Sequence, residues 1–108
     1  MSPLFAQPGD GKQTQLDGSS RRVILDLPEL MLVEFTFEKG GVGALHSHPH
    51  VQSSYVAAGV FDVTIDGVTQ RIEAGGAYIV PSGLVHGVTA IEAGTLIDSF
   101  TPRRDDFL

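Results

Sequence analysis

Short apolar runs, each closed by glycine or proline and none with helical periodicity, constrain the fold of this chain more than any other feature. Between Leu30 and Glu38, Met31, Val33, Phe35 and Phe37 fall on one face, and Glu34, Thr36 and Glu38 fall on the other. That period of two predicts a half-buried strand. Further strands are expected over 22–27, 52–58, 60–65, 68–73, 77–80, 84–90 and 95–101, separated by Lys39-Gly40-Gly41, Gly59, Asp66-Gly67, Ala74-Gly75-Gly76 and other turn signals. Asp66-Gly67 is a two-residue hairpin signal, because only residues tolerant of positive φ fit such a turn. No window carries a 3.6-residue apolar stripe. About eight to ten short strands at regular spacing imply an all-β sandwich or barrel. The 13 glycines in 108 residues fit the many turns that such a fold needs.

The length allows one core, and residues 1–20, rich in Gly, Gln, Asp and Ser, read as an N-terminal loop or edge segment before a domain over 21–108. With no cysteine, the chain has no disulfide, thiolate ligand or cysteine nucleophile. A net charge of -6 disfavours nucleic-acid partners, which require cationic surface. No basic leader and no run of about 18 apolar residues is visible, so a cytoplasmic protein with no membrane partner is expected.

The four histidines concentrate the chemistry. His46, His48 and His50 lie within five residues, and His86 stands apart. In a strand, i and i+2 share a face, so His46 and His48 point the same way, with Gln52 in the same parity beyond the bend at Pro49. Imidazole is the commonest neutral metal ligand, and paired histidines at this spacing suit Zn, Ni, Fe or Mn. An isolated histidine would more simply be a hydrogen-bonded surface or core residue. A second segment, Asp98-Ser-Phe100-Thr-Pro-Arg103-Arg104-Asp-Asp-Phe-Leu108, has two readings on composition alone. Asp98 and Phe100 share a strand face and could line a cavity beside an arginine suited to carboxylates. Alternatively, Asp98 is exposed at a strand end, Phe100 is core, and Arg103 and Arg104 pair with Asp105 and Asp106.

Both regions carry a resemblance. Gly40-Gly-Val-Gly-Ala-Leu-His46-Ser-His48-Pro-His50-Val-Gln52, with Gly59 following, resembles the first cupin motif. Gly75-Gly-Ala-Tyr-Ile-Val-Pro81-Ser-Gly83-Leu-Val-His86 resembles the second. The resemblance implies a single-domain cupin, a small antiparallel jelly-roll β-barrel. It further implies one divalent metal ion, of identity left open, on His46, His48, Gln52 and His86. Cupins commonly place Glu where this chain has Gln52. A neutral amide leaves an M2+ site at +2, favouring an anionic substrate and a Lewis-acid role while weakening the hold on the metal. His50 is expected to be a supporting donor or a solvent-facing residue.

The whole pattern from about Arg22 to Leu108, tail included, resembles the pectin-degradation cupins of the KdgF family. That resemblance implies conversion of cyclic 4,5-unsaturated uronates, the monomers left by pectin and alginate lyases, into linear 5-keto acids. It carries catalytic or substrate roles onto Asp98, Phe100 and Arg104, with Arg103 outside the set. Tyr55 is expected either to line the cavity or to belong to the core. The implied partner is a small acidic sugar, and a homodimer is in keeping with the family. Two other classes remain: a non-heme metal dioxygenase, and a non-enzymatic sugar-binding cupin. A phosphosugar isomerase would need more cationic groups near the site than Arg104 alone.

Overall fold

The computed structural model describes residues 3–108. Eight antiparallel strands carry nearly all of its regular structure: β1 (Lys12–Gln15), β2 (Ser19–Leu27), β3 (Leu30–Phe37), β4 (Val42–His46), β5 (Val51–Ile65), β6 (Val68–Glu73), β7 (Ala77–Val80) and β8 (His86–Thr101). A single 3₁₀ turn, Asp105–Phe107, follows. No helix among the described residues is long and apolar enough to cross a membrane.

Two pairs of expected strands are continuous. Residues 52–58 and 60–65 lie in one strand, β5, and residues 86–90 and 95–101 in the other, β8, which begins at His86, two residues later than expected. The two run antiparallel along their whole length, from Val51 opposite Thr101 to Ile65 opposite His86. The pairing slips where Ala58 and Val60 face Thr95 and Glu92, and there the ribbon turns a corner. Gly59 and Gly94 make that corner possible. Gly59 has φ of 81°, and a Cβ on it would lie 2.5 Å from the Ala93 carbonyl oxygen; a Cβ on Gly94 would collide with the carbonyl oxygen of Ala58. Sequence shows these glycines as strand breaks, whereas their role is to let two backbones touch while the strands continue.

The corner divides the sheet into two layers. In one, β1, β2, β3, the end of β8, the start of β5 and β7 lie side by side; in the other, β4, the start of β8, the end of β5 and β6 do so. The result is a small antiparallel barrel of the jelly-roll kind. The expected hairpin is present, with φ of 49° at Asp66 and 79° at Gly67 joining β5 to β6. The β1 strand forms one border of the sheet. Its exposed polar residues, like the largely exposed β4, offer no apolar alternation from which a strand could be read.

The core lies between the layers in two clusters. Phe37, Val56, Phe61, Val63, Ala90 and Leu96 form one, and Val23, Met31, Val33, Phe100 and Phe107 form the other. Phe61, Phe100, Met31, Val33 and Val56 are essentially fully buried. Burial of side chains of this size contributes on the order of 1.5–3 kcal/mol each.

Candidate metal centre

Folding the ribbon back on itself brings its two ends together. Gln52 is the second residue of β5 and pairs with Phe100, whereas His86 starts β8 and pairs with Ile65 at the opposite end. Even so, His86 Nε2 lies 3.2 Å from Gln52 Oε1. His46 ends β4 beside His86, and His48 follows in the loop, its Nε2 3.0 Å from the same Oε1. One ring nitrogen from each of His46, His48 and His86 falls within 4.8 Å of the others.

The proton positions follow from the partners. His46 Nδ1–H donates to the Ala44 carbonyl at 2.9 Å, His86 Nδ1–H to Leu84 at 2.9 Å, and His48 Nδ1–H to His50 at 3.1 Å. A carbonyl only accepts, so each ring holds its proton on Nδ1 and presents a lone pair at Nε2. The amide nitrogen of Gln52 donates to Ser54 Oγ at 3.0 Å and towards Asp98 Oδ2 at 3.5 Å, turning Oε1 to the histidines. Acceptor atoms thus converge with no proton between them, an arrangement that a cation would relieve. Burial, foremost, pushes the His48 and His86 rings below the ordinary imidazole range, which keeps them neutral and able to ligate. The three histidines therefore fit a divalent metal, with backbone carbonyls fixing each ring as ligand-bearing histidines require.

Beside them opens a cavity of about 190 Å³, lined among others by His46, Gln52, His86, Asp98, Phe100 and Arg104. Asp98 is buried opposite Val33 of β3 and Ser54 of β5. Burial pushes its carboxyl up to about 7, against the opposing pull of Ser54 and the Arg104 charge. Its Oδ1 has no hydrogen-bond partner. Phe100 packs edge-on to His48, with ring centroids 5.7 Å apart. Arg104 grips Asp106 through Nε at 3.0 Å and Nη2 at 2.8 Å, and its guanidinium carbon lies 4.2 Å from the Phe107 ring centre. Parts of both compositional readings of the tail therefore hold: the arginine–aspartate pairs form, yet Asp98 is buried in the cavity wall.

Arg103 turns away, to Asp105 at 2.8 Å and Asp26 at 3.3 Å. His50 contributes the backbone carbonyl that holds His48, while its own ring is half-buried beside it. Tyr55 does not line the cavity. Gln52 and Ser54 point inward, so the intervening parity sends Tyr55 to the outer face, 50% exposed. Tyr78 of β7 lines it instead, and so does Arg21 of β2. Arg21 shares the inner face with buried Ser19 and Val23. An arginine in that parity is the signal that could have found it, but with the strand read from Arg22 the inner face of β2 was not assigned.

An all-strand barrel with a histidine cluster at one end defines a class, and the family comparison agrees: the cupin-domain profile matches residues 33–98, and the chain belongs to the cupin family. Within that family it is 44% identical over 94 residues to the pectin degradation protein KdgF of Dickeya dadantii (strain 3937), covering 85% of this chain and 86% of that one. Among solved structures, KdgF from a Halomonas species superposes with a TM-score of 0.92 at 35% identity, over 98% of this chain and 99% of the other. An RmlC-like cupin from Shewanella frigidimarina NCIMB 400 superposes at 0.95 with 37% identity, covering 99% and 97%.

Proposed function

We propose that this cupin opens the ring of 4,5-unsaturated uronate monomers, giving linear 5-keto-4-deoxyuronates. One observation carries the reading: buried Asp98, with one carboxyl oxygen unpartnered, lines the same cavity as His46, Gln52 and His86. The similarity to a pectin degradation protein supports the choice of sugar. Monomers from alginate share the same reacting centre and fall within the same reading.

His46, His48, Gln52 and His86 would hold one divalent metal. Such an ion supplies a Lewis acid for negative charge developing on a substrate oxygen. The chain's own groups do the rest. Asp98 accepts the proton of the C1 hydroxyl. The bond from C1 to the ring oxygen then breaks, leaving an aldehyde at C1 and an enolate across C4 and C5. Return of a proton to C4 gives the 5-keto acid, so the step is an isomerisation without redox. Phe100 packs on the sugar and excludes water, while Arg104 brings positive charge and N–H groups to the acidic substrate.

The test follows the conjugated-enol absorbance of a pectate digest made by an exo-acting lyase, with NMR to identify the product. Metal-loaded protein is expected to remove the absorbance well above the spontaneous rate, and protein stripped by a chelator is expected not to. No acceleration by the loaded protein would overturn the reading.

A further inference from the structure

Arg104 is the arginine that the tail brings to the cavity, but its planar fork is already occupied. Nε and Nη2 both engage Asp106, at 3.0 and 2.8 Å, and only 11% of the side chain is exposed. Arg21 is in a different position. It reaches the same cavity from β2, its guanidinium carbon 4.0 Å from the Phe107 ring centre that Arg104 also approaches. Its Nε is buried and has no hydrogen-bond partner. Burial lowers its proton affinity, with Asp106 opposing and Arg104 reinforcing that effect.

Asp106 is bonded to Arg104 and reaches Arg21 only through its charge, while Asp98, the other carboxyl of the cavity, is held towards its neutral form by burial. Arg21 therefore has no bonded carboxylate, and an entering anion would be its first. An Nε–H buried without a partner has met its desolvation cost on folding, so an anion approaching this half-buried guanidinium from the cavity gains attraction that water would otherwise weaken. The Phe107 ring beneath holds the guanidinium plane in place.

We propose that Arg21 is the anchor for the substrate carboxylate, and that Arg104, held by Asp106, serves the rest of the sugar. This rests on the ring-opening reading and makes it more specific: the site selects a uronate over its neutral counterpart through a residue on β2, far in sequence from both histidine motifs.

The experiment compares an unsaturated galacturonate with its methyl ester, using metal-loaded wild type, Arg21→Gln and Arg21→Lys. The expected result is a loss in kcat/KM for the acid of about 10- to 100-fold in Arg21→Gln, the range for a charged hydrogen bond, with the ester little changed. Arg21→Lys should recover part of the preference for the acid, because it keeps the charge but loses the fork; it also serves as the variant should the glutamine form fail to fold. Equal losses on acid and ester, or no loss on the acid, would overturn the proposal. If wild type turns over neither sugar, the ring-opening reading fails by itself. Calorimetry with galacturonate and galactose then decides Arg21 separately: a preference for the acid that Arg21→Gln abolishes supports the anchor, and a preference absent or unaltered refutes it.

Discussion

The strands β5 and β8 build two regions of opposite character on one continuous inner face. Beyond the corner, that face presents Phe61, Val63 and Ala90, which pack with Val56, Leu96 and Phe37 into an apolar cluster. Before it, the same strands present Gln52 and Ser54 opposite Phe100 and Asp98, four buried residues of which three are polar. Both regions are buried, so burial alone distinguishes nothing. What differs is satisfaction: the apolar cluster needs no partners, whereas the polar half meets His48 from the loop and His86 from across the barrel acceptor to acceptor, and holds a carboxyl oxygen with no donor. Such a deficit in an otherwise well-formed barrel marks where a ligand belongs.

Mutation should separate the two regions. Asp98→Asn is expected to lower turnover by about 10²- to 10⁴-fold, the span for a lost general acid–base group, while leaving the fold and the metal content in place. Steady-state kinetics beside calorimetry would check this, and retained turnover would remove Asp98 from the proton path. Phe61→Ala should do the reverse. It is expected to cost about 3–5 kcal/mol of stability in denaturant titration, with kcat per folded molecule unchanged. If turnover fell with it at saturating metal, the two halves would be energetically coupled rather than separate.

The effect on pH dependence is the smallest per unit of pH and builds up across the window. Burial raises the Asp98 carboxyl to about 7 in the folded chain, against about 3.9 in an unfolded one. Between those values the folded state binds more protons than the unfolded state. The metal-free protein should therefore lose stability as pH rises through that window, by at most about 1.4 kcal/mol per pH unit from this group. Asp98→Asn should flatten the slope, and an unchanged slope would assign it to other groups.

The barrel class and the hairpin at Asp66-Gly67 were legible in the sequence, and the bounds of β6 and β7 coincide with those expected over 68–73 and 77–80. Those features depend on alternation and turn residues, which are local. The continuity of β5 and β8 was not legible, because the reason for Gly59 is its contact with Ala93 and Gly94, more than thirty residues away in the chain. At the site, the spacing of His46 and His48 pointed to a shared face, the cupin resemblance added His86 and Gln52, and the structure brings the four side chains together. The carbonyls that fix the three tautomers carry no residue identity, so no sequence pattern could show them. Arg21 lies outside the expected strand over 22–27, so its place on the inner face of β2 was not legible. Tyr78 lies within a strand of the expected extent, but four residues without clear alternation do not show which face meets the cavity.

With the proposed ligand set, the corner at Gly59 and Gly94 would also determine when a metal is captured. In an extended chain His46, His48 and Gln52 are near neighbours, whereas His86 would join them only after the long ribbon has folded over and both layers have closed. Full chelation would thus be reserved for finished molecules. A nascent or damaged chain would compete poorly for scarce ions, and occupancy of the centre would serve the cell as a certificate that the whole barrel has assembled.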